Sequence, residues 1–178
     1  MSFLQSKKVV DEFNKFNEAI VAQARLNLAK GVNASGALSK SLSSSYEPKK
    51  NSFRLTFSME NYGQFIDEGV KGSKSSAKAP NSPFKYTNKM PPSGALDRWA
   101  ARKVSSARNT KGQFVSRKSL VYAIRKSIFL YGIKATHFFT DAFESKMKDF
   151  DKTMFKIIGF EVDELLTFAK KITKWQQQ

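Results

Sequence analysis

Val9, Phe13, Phe16, Ile20, Ala24 and Leu28 follow one another at spacings of three and four residues, so they share one face of a helix. That helix, read from Phe3 to Lys30, carries an apolar stripe that another element has to cover. The period then changes. Phe53, Leu55, Phe57 and Met59 alternate with Arg54, Thr56 and Ser58, as in a strand with one buried face. Sixteen Phe, five Tyr and two Trp among 178 residues supply the apolar surface for one core.

The rest of the chain is divided by turn and cap residues. Gly31 gives the first helix a C-terminal stop, and Ser35 is placed to cap a short helix through Leu42. Ser43-Ser-Ser and Glu47-Pro-Lys-Lys read as loop and turn. A second, weaker strand is read over Pro83 to Thr87. The Gly-, Ser- and Lys-rich stretch before it, from Val70, reads as a long exposed loop. Ser93 caps a helix from Gly94 to Lys103 with Leu96, Trp99 and Ala100 facing inward. Ser105 to Lys118 is a second basic loop. Ser119 caps a helix with Leu120, Ile124 and Ile128 on its buried face, ending at Gly132. Thr140 caps a last helical region with Phe143, Met147 and Phe150 in register, and Gly159 interrupts it before a segment from Val162 to Lys174. Phe155 to Val162 fits helix or strand equally well. The expected fold is α+β: a small antiparallel β-sheet packed by several α-helices, with a long N-terminal helix and two long basic loops.

Catalytic chemistry finds little material here. The chain has one histidine, His137, and no cysteine. A triad or a zinc site would need further ligands or a strained nucleophile, and His137 beside two Phe reads as a packed or capping residue. Asp67 and Glu68 are adjacent in sequence and diverge in any regular element, so they do not form a facing acid–base pair. There is no glycine-rich phosphate loop. We therefore expect a protein that is not an enzyme and uses no cofactor and no metal. No apolar run approaches the length of a membrane span, and the N-terminus has no secretion signal.

Charge is the strongest functional signal. The chain carries a formal net charge of +16. From Val70 to Lys126 there are fourteen Lys or Arg against one acid, Asp97, so most of the surplus lies in one third of the sequence. A field of that sign attracts nucleic acid or the acidic face of a protein partner. The candidate interface or DNA-facing residues are Lys71, Lys74 and Lys78 in the first loop, and Arg102, Lys103, Arg108, Lys111, Arg117 and Lys118 in the second. Asp67 and Glu68 are read as outward anchors for a neighbour's Lys or Arg, with Phe65 and Ile66 holding that segment to the core; Glu68 reads equally well as a solvated turn acid.

Four segments, in order, resemble the tail-completion (neck, or head–tail joining) proteins of long-tailed bacteriophages. Asn33-Ala-Ser-Gly-Ala-Leu-Ser-Lys-Ser-Leu42 is similar to their Thr/Ser-Gly-x-Leu-x-x-Ser segment. Tyr62-Gly-Gln-Phe-Ile-Asp-Glu-Gly-Val70 resembles their Tyr-Ala-x-Tyr/Phe-Val-Glu-x-Gly-Thr signature, with Val70 in place of Thr. Pro91-Pro, Leu96-Asp-Arg-Trp99 and the helix from Ser119 to Tyr131 look like the helical pair inserted in larger members. Gly132-Ile-Lys-Ala-Thr-His-Phe-Phe-Thr-Asp-Ala-Phe143 is similar to their closing Gly-x-x-x-x-Pro-Phe-Leu-x-x-Ala, with His137 where Pro is common.

The resemblance implies a neck-like domain over residues 1–150, with residues 151–178 a helical extension of it. It also implies a virion structural protein at the head–tail junction, made in the host cytoplasm during assembly. Its partners would be copies of itself in a six-fold or related ring, together with head-closure adaptor, tail-terminator or tail-tube proteins. DNA in the channel is a further contact, and no membrane is involved. A ring needs a heterologous interface, hence two different complementary patches on each subunit. The alternative function is a nonspecific DNA-binding protein acting in replication or packaging.

Overall fold

The computed structural model describes residues 3–30, 36–50, 52–103, 108 and 112–175. A single 3-10 turn at Phe3–Gln5 precedes α1 (Lys7–Ala29). Ser6 starts α1, its hydroxyl accepting from the Val9 N–H. The whole stripe expected from the sequence is buried, and Asn17 and Val21 are buried with it. Gly31, read as the stop, and Ser35, read as a cap, lie outside the described residues. The short α2 (Ala37–Ser41) starts instead at Gly36, whose φ of 72° is left-handed.

Next come β1 (Ser43–Pro48) and β2 (Phe53–Ser58), an antiparallel pair with Tyr46 opposite Leu55 and Ser44 opposite Phe57. The alternation of β2 is as expected. β1 corrects the expectation of loop: three serines have little strand preference, and the hydrogen-bonding edge of β2 overrides it. Tyr46 also holds β1 in place. Its ring stacks on Phe13 of α1 at 4.5 Å, and its hydroxyl donates to the Leu4 carbonyl.

α3 (Gly63–Asp67) follows the sheet, and a long segment without regular structure leads to α4 (Ser93–Lys103) and α5 (Arg117–Tyr131). These two helices pack on each other as a hairpin. α5 is capped by Ser116, whose hydroxyl accepts from the Ser119 N–H, so Ser119 sits inside the first turn and is not the cap. Val121 is the buried residue of α5, while Leu120, Ile124 and Ile128 are half-buried.

The last helix, α6 (Thr140–Trp175), runs through Gly159 without interruption and includes Phe155 to Val162. One helical glycine costs about 1 kcal/mol relative to alanine, too little to end a helix whose apolar positions continue on both sides. α6 lies antiparallel to α1. At one end the Asn27 amide donates to the Phe138 carbonyl, and at the other Phe150 stacks on Phe16 at 4.0 Å and meets Phe13. Lys156 reaches the level of Lys8, and α6 then continues for about five turns past the start of α1.

The core lies between α1, α2 and the start of α6. Val21, Ala24, Leu28, Leu38, Leu42, Phe138 and Ala142 form it, with Phe57, Met59, Ile66 and Phe139 packed around them. Each large side chain buried there contributes about 1.5–3 kcal/mol. The architecture is the expected small α+β fold. The second strand, at 83–87, reduces to a single parallel bridge between Lys71 and Lys85. Pro83 has no N–H to give and the Phe84 N–H goes to the Ser82 hydroxyl, which leaves the Phe84 carbonyl and the Tyr86 N–H to pair with Lys71.

Candidate functional site: a cationic interaction surface

The segment after α3 is not the free loop its composition suggests. Val70 pairs with Ile133, and Lys71 is bracketed by backbone bonds to Phe84 and Tyr86. Ser73 donates to the Phe129 carbonyl, and Lys74 and Ser75 donate to that of Leu130. The segment thus satisfies the C-terminal carbonyls of α5, which a helix end leaves without partners. Two glycines permit the crossing. Gly132 has φ 74°, and a Cβ there would overlap the Val70 carbonyl oxygen; one on Gly72 would overlap that of Leu130. Further on, Ala79 and Ser82 are buried, with the Ser82 hydroxyl donating to the Gly69 carbonyl at 2.8 Å.

The candidate cations therefore stand on a fixed frame. Lys74 is exposed, and Lys71 is half-buried with exposed Lys85 paired beside it. Lys78 donates to the Gly132 carbonyl at 3.3 Å. The second basic loop is shorter than expected, because Arg117 and Lys118 belong to the first turn of α5; Arg102 and Lys103 end α4, the helix read to Lys103. Lys111 and the side chains of Trp99, Arg102 and Lys103 lie outside the described residues. Arg108 donates to the Gly112 carbonyl and lies over the exposed Phe114 ring at 4.2 Å from its centroid.

Arg117 is committed to Asp97. Its Nε donates to one carboxylate oxygen at 2.8 Å, and a terminal nitrogen donates to the other, tying α5 to α4. That hydrogen bond, aided by the charge of Arg117, holds the Asp97 carboxyl below its ordinary value, and Asp97 raises Arg117 in turn. Lys118, Tyr122 and Lys126 are exposed at successive spacings of four on α5, and Tyr122 is 56% accessible. Tyr86 is partly buried, which raises its hydroxyl above the usual phenol value.

The acidic pair behaves differently from expectation. Asp67 is buried and does not face outward. Its carboxylate accepts from the Phe139 N–H at 2.7 Å, from the Thr140 N–H and from the Thr140 hydroxyl, so it caps α6 from across the chain. A buried carboxylate needs such donors, and the start of α6 provides them together with its dipole. Phe65, expected to hold the segment to the core, is 40% exposed and meets Phe84 edge-on, while Ile66 does pack against the core.

Glu68 is half-buried in a recess of about 280 Å³ that it shares with Lys78, Lys134 and His137. His137 is exposed and has a left-handed φ of 49°, so it is neither packed nor an ordinary cap. Lys134 was not among the residues marked by the sequence: 66 positions separate it from Glu68, and no local pattern joins them. Among the described residues no cluster of His, Cys, Asp or Glu could hold a metal ion, and no helix is long and apolar enough to cross a membrane.

No protein-family model, no curated protein and no solved structure matches this chain.

Proposed function

We propose that this chain is a virion structural protein of the head–tail junction of a long-tailed phage, one subunit of a ring joining the head or portal adaptor to the tail. What supports this reading is the way the resembling segments meet. Tyr62–Val70 is bound to Gly132–Phe143 through the Val70–Ile133 pair and the Asp67 cap, and Leu38 of the first segment shares the core with Phe138. Segments far apart in sequence thus form one packed unit, and the α4–α5 hairpin, with nine Lys or Arg against Asp97, adds half of the net positive charge. On this reading the unit is the subunit body, and the cationic frame of Lys71, Lys74 and Lys85 with the hairpin is the contact surface. It would meet acidic neighbours in the ring or DNA in the channel.

Immunogold electron microscopy of purified particles, with an antibody against this polypeptide, tests the proposal. Gold at the neck is the expected result. Intact particles without the protein would overturn it.

A second reading, a nonspecific DNA-binding protein of replication or packaging, is favoured by one observation. Tyr122 and Phe114 are exposed within the cationic region, where aromatic rings stack on bases. It requires affinity for DNA that falls by roughly 10³–10⁵ between 50 and 200 mM salt if 6–10 phosphates are neutralised. Salt-sensitive filter binding together with intact particles that lack the protein would favour it over the first.

A further inference from the structure

Two neighbouring segments and a third more than fifty residues further on are braided at one place. The Thr136 N–H and hydroxyl both donate to the Ile66 carbonyl, and the His137 N–H donates to that of Asp67. The Ala135 N–H donates to the Lys78 carbonyl, and the Ser82 hydroxyl to that of Gly69. Residues 66–70, 78–82 and 133–137 therefore form a rigid frame around the recess. Its apolar wall is Ala79, Pro80 and Ala135, and its polar groups include Glu68, Lys78, Lys134 and the His137 ring. Among the described residues, Glu68, Lys134 and His137 make no side-chain hydrogen bond or ion pair. Lys78 spends one of its three ammonium donors on the Gly132 carbonyl. Cationic donors are thus held on a fixed backbone, next to an acceptor that does not neutralise them.

We propose that this recess is a binding site for the carboxylate of an acidic side chain, Asp or Glu, presented by a neighbouring protein subunit. The ammonium groups of Lys78 and Lys134 would take the carboxylate, the alanine and proline wall its methylene stem, and Glu68 a backbone N–H of the same peptide. Glu68 is what favours a peptide over nucleic acid. A duplex or single strand brings a row of phosphates that the Glu68 carboxylate repels, whereas a peptide brings one carboxylate flanked by N–H donors. His137 adds a ring nitrogen at the rim. Its left-handed backbone, fixed by the bond from its N–H to the Asp67 carbonyl, sets where the imidazole stands.

This inference extends the reading of a ring subunit with acidic neighbours, but it is tested in solution, away from any particle. Its failure would leave the location of the protein untouched, and a wrong location would leave the recess standing. The test titrates the full ¹⁵N-labelled chain at low ionic strength with Ac-Ala-Glu-Ala-NH₂, with Ac-Ala-Gln-Ala-NH₂, and with inorganic phosphate, following amide shifts.

The expected result is saturable shifts confined to Gly69, Ala79, Ala135 and His137 with the Glu peptide. The dissociation constant should be on the order of 1–10 mM, as for one charge-assisted contact. The Gln peptide should bind at least about fivefold more weakly, and Lys134→Gln should reduce Glu-peptide binding by a similar factor, about one lost ion pair in a partly screened site. Lys134 is exposed and supports no packing, so its variant retains the fold, and unchanged amide dispersion checks this. Equal binding of the two peptides, shifts spread over surface lysines, or tighter binding of phosphate than of the Glu peptide would each overturn the proposal.

Discussion

The Asp67 carboxylate accepts a hydrogen bond from the Phe139 N–H at 2.7 Å, and through it the end of α3 caps a helix that starts 73 residues later. The same carboxylate takes the Thr140 N–H and hydroxyl, so removing it strands two backbone donors and one hydroxyl in a partly buried place. Asp67→Ala should destabilise the fold by about 2 kcal/mol, the sum of a lost cap and an unsatisfied polar group. Its melting temperature should fall by roughly 5 °C at this chain length. Asp67→Asn keeps one acceptor and should lose about half as much. Thermal unfolding by circular dichroism checks both, and an unchanged Asp67→Ala midpoint would refute the cap.

That relationship also shows where sequence reading ended. The α1 stripe and the alternation of β2 are legible because helix and strand periods are local, and both faces are buried as expected, apart from Phe53 near the sheet edge. β1 is not legible: its serines carry no pattern, and its structure comes from the partner strand and from Tyr46 on Phe13. Asp67 looked like a surface acid because its donors lie on a helix that no spacing rule connects to it. The glycine- and lysine-rich segment from Val70 had the composition of a free loop. Its backbone bonds go to the end of α5, and composition says nothing about where donors find acceptors. The candidate site shared this fate: the charge surplus was visible as a number, but Lys134 and His137 join Glu68 and Lys78 only through the braid.

Gly132 is the tightest point of that braid, with left-handed φ and no room for a Cβ beside the Val70 carbonyl. Gly132→Ala should cost about 2 kcal/mol or more, combining the left-handed penalty with displacement of residues 70–72. The loss should appear locally before it appears globally. Hydrogen exchange at the Ser73 and Lys74 amides, which bond to Phe129 and Leu130, should speed up more than exchange within α1. Equal acceleration everywhere would mean the crossing is not a separate point of weakness.

The Asp97–Arg117 pair makes the α4–α5 hairpin sensitive to acid. Asp97 is held below its ordinary value of 3.8 by Arg117. A carboxyl depressed in the folded state stabilises at pH above its unfolded value, and that contribution disappears as pH falls through the lower folded value. Its contribution is therefore full above about pH 4 and disappears only as pH drops through the lower folded value. Because both groups are exposed, salt should weaken it and global stability should hardly move. The Arg117 Nε–H resonance is the reporter: it should keep its hydrogen-bonded shift through the ordinary carboxyl range and lose it only at lower pH, and lose it in Asp97→Asn at any pH. A resonance that ignores both changes would show the pair is not formed in solution.

Asn17 gives the opposite kind of prediction. It lies on the buried stripe of α1, 2% exposed, and among the described residues both its amide nitrogen and its carbonyl oxygen lack a partner. An amide buried without hydrogen bonds costs roughly 1–3 kcal/mol, and its neighbours along the stripe are Phe13, Phe16, Ile20 and Val21. Leucine has the same branched side-chain skeleton and no polar atoms, at the cost of a larger volume that the neighbouring rings have to accommodate. Asn17→Leu should therefore stabilise the chain by about 1–2 kcal/mol, moving the urea midpoint upward with an unchanged slope. If the midpoint falls instead, Asn17 has a partner in solution, such as a bound water, and the substitution has stranded it. An accompanying rise in slope would point to a change in the unfolded ensemble, so the two quantities together separate a relieved core from an altered reference state.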